Sequence, residues 1–235
     1  MYIGKNNPGT KYNMMKDGKK SDIQTCEHET DLGVTFDTLL NFNKHIELAI
    51  SKANRMLGLI RRTFNYLNKD VFIKLYKSLV RPHLEYGNII WNPVLKRQSI
   101  SIEKVQRRAT KLLKQCRNFT YTERLKYLGL YSLKGRRSRG DLIETYKMFN
   151  GFIDADPYRF FDPATSNITR NSDKKIYINH HCNKMHKNVF SHRVAPQWNS
   201  LPAHYKNAQN TNKFKNLLDG DLTFINKFRE FDGYL

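Results

Sequence analysis

The chain has 235 residues, 39% of them apolar, with 13 Tyr, 14 Phe and 2 Trp; that many aromatics exclude a wholly disordered chain, and the length admits one large domain or two small ones. Lys and Arg number 41 against 21 Asp and Glu, a formal net charge of +20, which self-repels in a compact monomer unless an anionic partner neutralises it, nucleic acid first and an acidic membrane surface second. No apolar run reaches the roughly 18 residues that span a bilayer, no apolar leader opens the chain, and three scattered cysteines, Cys26, Cys116 and Cys182, give no disulfide framework, so nucleus or cytoplasm is expected rather than secretion.

The charge is unevenly placed. Residues 1–40 carry 5 basic and 6 acidic side chains, residues 41–150 carry 24 and 7, and residues 151–235 carry 12 and 8. The excess therefore sits in the middle, where helical periodicity is also clearest. A solvated helix face explains a modest surplus of Lys and Arg; a local excess of this size points to nucleic acid.

In chain order, Met1-Tyr2-Ile3 reads as a strand end, stopped by Gly4 and by the turn Asn6-Asn7-Pro8-Gly9. Asp31 to Asp37 alternates Leu32, Val34 and Phe36 with small or polar residues, a half-buried strand. Asn41 can cap a long amphipathic helix through Phe42, Ile46, Ala49, Ala53, Leu57, Ile60 and Phe64, with Lys52, Arg55, Arg61 and Arg62 among its polar residues. Asn68 can cap a second helix, with Asp70 in its first turn and Val71, Leu75, Leu79 and Val80 apolar. Pro82 within LYKSLVRPHLEYGNIIW should kink or divide that helix. From about Ser99 to Gln115, Ile102, Val105, Ala109 and Leu112 form one helix face. Lys104, Arg107, Arg108, Lys111 and Lys114 form a basic strip on another, with only Glu103 near it.

A short helix from Thr122 to Leu128 ends at Gly129. Arg136, Arg137 and Arg139 then open a helix whose apolar side is Leu142, Ile143, Tyr146 and Phe149. Three cations in the first turns oppose the helix dipole, which makes sense if an anion shares that end. Residues 152–175 read as a linker. Beyond it Ile176-Tyr177-Ile178 and Val189-Phe190 read as short strands, Ala195 to Leu201 as a brief helical turn, and Thr211 to Leu218 as a last helix. The expected fold is mainly α: short N-terminal strands in 1–40, a central bundle of packed helices with a proline kink in 41–151, the 152–175 linker, and a small mixed C-terminal region in 176–235.

Catalytic patterns are weak. His180, His181, Cys182, His186 and His192 are zinc-ligand types, but no second pair follows at regular spacing, so they read as surface and loop residues. Asp154 with Asp156, and Asp219 with Asp221, lack the rigid setting of two-metal chemistry. No P-loop, nucleophile elbow or dinucleotide fingerprint occurs, and no cofactor is expected.

DLGVTFD, KANRMLGLIRRTF, LYKSLVRPHLEYGNIIWNP, IEKVQRRATKLL, YTERLKYLGL, RRSRGDLIETYKMFNG and FSHRVAPQWNSLP succeed one another here. Together they closely resemble the C-terminal part, thumb and post-thumb, of reverse transcriptases (RNA-directed DNA polymerases) from non-LTR retrotransposons of the jockey and chicken-repeat type. MYIGKNN resembles the strand pair that follows the catalytic motifs and supports the primer end. The polymerase's Asp-Asp turn has no counterpart, since no Asp-Asp pair occurs in the chain, and neither has the endonuclease. The resemblance implies a truncated, transposable-element-derived thumb and tail, inactive alone. It would grip RNA or DNA, as an RNA–DNA or DNA duplex, through phosphates. The candidate contacts are Arg61, Arg62, Arg81, Lys104, Arg107, Arg108, Lys111, Arg136, Arg137 and Arg139. The competing reading is a protein-interaction module, or a relic persisting by descent, in which the aromatic tail after residue 176 matters more.

Overall fold

The structure, a computed structural model, describes residues 1–4, 6–164, 174–180 and 188–229. It is mainly helical with two antiparallel strand pairs at the N-terminal end. Among the described residues no helix is long and apolar enough to cross a membrane.

The strand pairs are hairpins of different standing. β1 (Asn13–Lys16) and β2 (Lys19–Asp22) are exposed throughout. β3 (His28–Asp31) and β4 (Val34–Asp37) pair with Asp31 opposite Val34. Their turn is Leu32-Gly33, both at positive φ, the geometry that suits a two-residue hairpin. Leu32, expected on the buried stripe, is therefore 85% exposed at the turn, while Val34 and Thr35 are buried. The strand expected at residues 1–3 does not form; Gly4 N–H instead donates to the Thr38 carbonyl at 2.8 Å.

α1 (Asn43–Thr63) buries Ile46, Ala49, Ala53, Leu57 and Ile60 at intervals of three and four residues. Its cap is Phe42 in the left-handed region rather than Asn41, whose own N–H donates to Asp37 Oδ1 at 2.9 Å. His45 ties the hairpin to this helix. Its Nδ1 accepts from Thr35 N–H at 3.2 Å and its ring lies 4.9 Å from that of Trp91. Burial, with Lys52 adding, holds the His45 pKa below the ordinary histidine range. The native state thus resists a proton that the unfolded chain accepts. The stabilisation is complete above about pH 6.5 and is lost as pH falls towards the depressed native value. Urea midpoints at pH 7.5 and 5.0 should therefore differ more for the wild type than for His45→Gln; equal differences would contradict this.

α2 (Lys69–Leu75) is capped by Asn68, whose Oδ1 accepts from Val71 N–H at 2.8 Å. Pro82 neither breaks nor divides the helical path beyond it. The chain passes through one π turn, Tyr76–Val80, in which Arg81 N–H reaches the Tyr76 carbonyl, and continues as α3 (Arg81–Glu85). Widening the turn before the proline removes the demand for its missing N–H and relieves the ring's clash with the preceding turn. Tyr76, Val80 and Leu84 all stay fully buried.

α4 (Lys96–Thr110) lies beside α1 and runs the same way. Gln98 Nε2 donates to Asn41 O and Asn43 Oδ1, at 2.9 and 2.7 Å, near the start of both helices, and Arg108 Nη2 donates to Asn54 Oδ1 at 2.9 Å further on. α5 (Tyr121–Leu128) opens on a reciprocal Thr120–Glu123 cap and closes on Gly129 at positive φ. These elements share one core, from Val34 to Leu133.

α6 (Leu133–Phe149) begins in that core and ends in a second. Leu142, Ile143 and Tyr146 pack with Phe161, Ile176 and the C-terminal helices. Those helices are α7 (Phe190–Asn199), α8 (Ala203–Lys206), α9 (Thr211–Gly220) and α10 (Leu222–Arg229). Val189-Phe190, expected as a strand, is the cap and first residue of α7. Ile176 forms an isolated bridge to Pro163, and Asn199 binds both its N–H and its carbonyl, at 3.0 and 2.7 Å. Of the linker expected at 152–175, Phe161 is core and residues 165–173 lie outside the described residues. So do His181, Cys182 and His186 of the histidine cluster.

Candidate nucleic-acid interface

Burial of Ile102, Val105 and Ala109 fixes the rotation of α4. Lys104, Arg107, Arg108 and Lys111, spaced by three, one and three, therefore share the face turned away from that core. With Arg124 of α5 they line a groove of about 530 Å³. Among the described residues, five cations and no carboxylate line it.

Each arginine is held. Arg108 is braced by Asn54. The Arg107 guanidinium stands 4.7 Å over the Tyr121 ring, and Arg124 flanks the same ring at 5.5 Å. Arg124 is 4% exposed, with Nε donating to Thr110 Oγ1 at 3.0 Å and Nη1 to the Phe119 carbonyl at 2.7 Å. Burial pushes its pKa down, Tyr121 opposes this, and the Arg107 charge adds to the lowering. An arginine keeps its charge even so, so positive potential is concentrated at the groove. Arg124 was not among the candidates from sequence. It lies on another helix, and spacing along one helix cannot disclose a neighbour from the next.

Glu103, the acid nearest the strip, is turned into the core. It is fully buried, four residues before Arg107 on α4, and accepts from Leu133 N–H through both oxygens, at 3.1 and 3.0 Å, from the Lys134 amide and from the Tyr121 hydroxyl. The anion expected at the start of α6 is thus the protein's own carboxylate.

Arg136, Arg137 and Arg139 join α6 to three different neighbours. The helix starts at Leu133 with Ser132 as its cap, so these residues lie beyond its first turn. Arg136 pairs through two nitrogens with Glu85 of α3, which Arg81 also reaches at 3.5 Å. Arg137 is buried and donates to Ser99 Oγ of α4 at 3.1 Å. Arg139 makes a two-pronged pair with Asp219 of α9, at 2.8 and 2.7 Å. A fourth bond of this kind joins α6 to α7: Arg193 clasps Asp141 at 2.8 Å on both oxygens and reaches the Ile89 carbonyl at 3.0 Å. The structure therefore does not bring Arg81, Arg136, Arg137 and Arg139 to the strip; they clamp helices together.

Arg61 and Arg62 are exposed in the last turn of α1. Arg61 is seven residues beyond Asn54, which places both on one side of the helix, the side that meets Arg108. It therefore extends the strip along α1. A basic residue at a helix C-terminus also complements the dipole, which accounts for Arg62 without a ligand.

No family model matches the chain, and no solved structure matches it. A protein of Caenorhabditis elegans, named only as uncharacterized, is 27% identical over 135 residues, which cover 56% of this chain and 66% of that protein. The chain thus spans 66% of that relative's length, and the likeness names no activity.

Proposed function

We propose that this chain is a nucleic-acid-binding module of the reverse-transcriptase thumb kind, which holds a primer–template duplex by its phosphates and performs no chemistry on it. The observation that carries the reading is the α4–α5 groove, lined among the described residues by five cations and no acid. Long-stemmed lysines and braced arginines suit phosphate contact, which positions a duplex without reading its sequence. The succession of blocks that resemble retroelement reverse transcriptases also supports it. A module of this kind works in the nucleus or cytoplasm. Against the rival reading, docking of a protein on the aromatic tail, stands the burial of Phe190, Trp198, Phe214 and Phe228, which among the described residues leaves Tyr177 as the half-exposed aromatic there.

The test is fluorescence anisotropy with RNA–DNA and DNA duplexes of two unrelated sequences. Replacing Arg107, Arg108 and Lys111 together by Gln removes three phosphate contacts, each worth roughly tenfold near 100 mM salt. All duplexes should weaken alike, by about 100-fold or more, with helicity unchanged. Loss on one sequence alone would point to base readout, and unchanged binding would refute the groove.

A further inference from the structure

α1 and α4 run the same way, and the segments just past their last turns meet at the end of the cationic strip. Phe64, Tyr66 and Leu67, between α1 and α2, form one side of a shallow pocket of about 100 Å³ there; Leu112, Lys114 and Gln115, between α4 and α5, form the other. Tyr66 is 71% exposed and Phe64 37%. No carboxylate lines the pocket among the described residues. Arg61, Lys111 and Lys114 lead into it from the two helices, and none of the three pairs with an acid among the described residues. Gln115 Oε1 accepts from the Tyr127 hydroxyl at 3.0 Å, which leaves its amide N–H groups to a ligand. Helix C-termini present carbonyls and the negative end of the dipole. Such an end suits the N–H donors of a base better than it suits a phosphate. An exposed tyrosine beside a cationic path is also the platform on which a base stacks whatever its sequence.

We propose that this pocket stacks an unpaired base of a strand that runs out of the duplex held in the groove. The ligand is then a duplex with a single-stranded extension and not a blunt one. The inference rests on the groove's role as a phosphate-binding surface. The phosphates of the departing strand pass Arg61, Lys111 and Lys114. The base lies on the Tyr66 ring, with Phe64 and Leu67 as apolar neighbours, and the Gln115 amide donates to an acceptor on its edge.

The test is fluorescence anisotropy of the full chain with a blunt duplex, the same duplex carrying a short single-stranded extension at its 5′ or 3′ end, and the same extension made of abasic nucleotides. The abasic strand has the same phosphates and no bases, so the gap between the two extended duplexes reads stacking alone. That gap should be about fivefold or more in at least one polarity, the lower end of what one stacked base contributes. Tyr66→Ala, at an exposed position, should close the gap and leave the blunt duplex bound as before. Tyr66→Phe, which keeps the ring, should preserve it. Equal affinity for the base-bearing and abasic extensions in both polarities would overturn the inference while the groove stands, as would a gap that survives Tyr66→Ala. Weaker binding of the blunt duplex by Tyr66→Ala would overturn it too, by placing Tyr66 on paired nucleic acid. Failure of the wild type to bind any of these ligands would overturn the groove and this inference together.

Discussion

Gly135→Ala is expected to unseat α10 and lower the stability of the fold by about 3 kcal/mol or more, the upper range for overpacking. A Cβ at position 135 would lie 2.0 Å from the Phe228 carbonyl oxygen and 2.5 Å from its carbon. That carbonyl cannot simply retreat. It accepts both the N–H and the hydroxyl of Ser132, each at 2.9 Å, while Ser132 Oγ caps α6 by accepting from Gly135 N–H at 3.0 Å. Phe228 itself is fully buried. Glycine is required here for close approach and not for an unusual φ. Gly140, in the same helix with nothing within 4 Å of its added Cβ, is the control: Gly140→Ala should stabilise by about 1 kcal/mol. Urea unfolding of the two variants reads the difference. Equal midpoints would mean that the α6–α10 contact is not formed.

Glu103→Ala should cost about 3–5 kcal/mol, as for a buried charge partner removed on one side. The carboxylate is the meeting point of three elements: α4 carries it, the Tyr121 hydroxyl of α5 donates to it, and the first amides of α6 do so too. Gln106 of α4 extends the network to Tyr76, Tyr121 at 2.8 Å and the Tyr131 carbonyl at 2.9 Å. Truncation strands the Leu133 and Lys134 amides and the Tyr121 hydroxyl in the core. Glu103→Gln keeps one acceptor and should lose less. Burial raises the Glu103 pKa, and its hydrogen bonds and Arg137 only partly offset this. A raised native pKa means that the native state holds the proton longer than the unfolded chain does. Its contribution is fully present below the unfolded value, about 4.3, and declines as pH rises through the raised native value. Against Glu103→Gln, the wild type should therefore lose relative stability across that window in urea titrations. A pH-independent gap between the two would contradict the assignment.

Periodicity disclosed the helices that bury a regular stripe. α1, α4 and α6 carry apolar residues at three- and four-residue intervals and bury the faces the spacing predicts, except that α4 ends at Thr110 before Leu112 and Phe149 is only half-buried. Local chemistry also located the caps at Asn68 and the stop at Gly129. What could not be read was whatever depends on distant chain. Pro82 reads as a kink or a division of the helix, and the π turn that carries the helical path past it is not legible in the sequence. Asn41 reads as a cap, but the helix begins one residue later, after Phe42 in the left-handed region. Val189-Phe190 is β-like in isolation and begins a helix because α7 must bury Phe190, Val194 and Trp198 together. Charge shows the same division. A strip on one helix, Lys104 to Lys111, is legible because its spacing is fixed by the helix itself. The run Arg136 to Arg139 looks alike in composition, but its partners Glu85, Ser99 and Asp219 lie 38 to 80 residues away. A run of arginines does not say whether it meets an external phosphate or the protein's own acids; only the fold separates the two.

A braced cationic groove on α4 and α5 that takes a polyanion by its phosphates must bind in a salt-dependent way, and the salt dependence of duplex binding measures this directly. With about six phosphates neutralised, the logarithm of the association constant should fall with the logarithm of salt at a slope near −5, roughly a 10³-fold loss between 50 and 200 mM. The Arg107, Arg108 and Lys111 triple variant should reduce that slope by about three, one for each contact removed. A flat salt response of the wild type, or a slope that the triple variant leaves unchanged, would contradict the account.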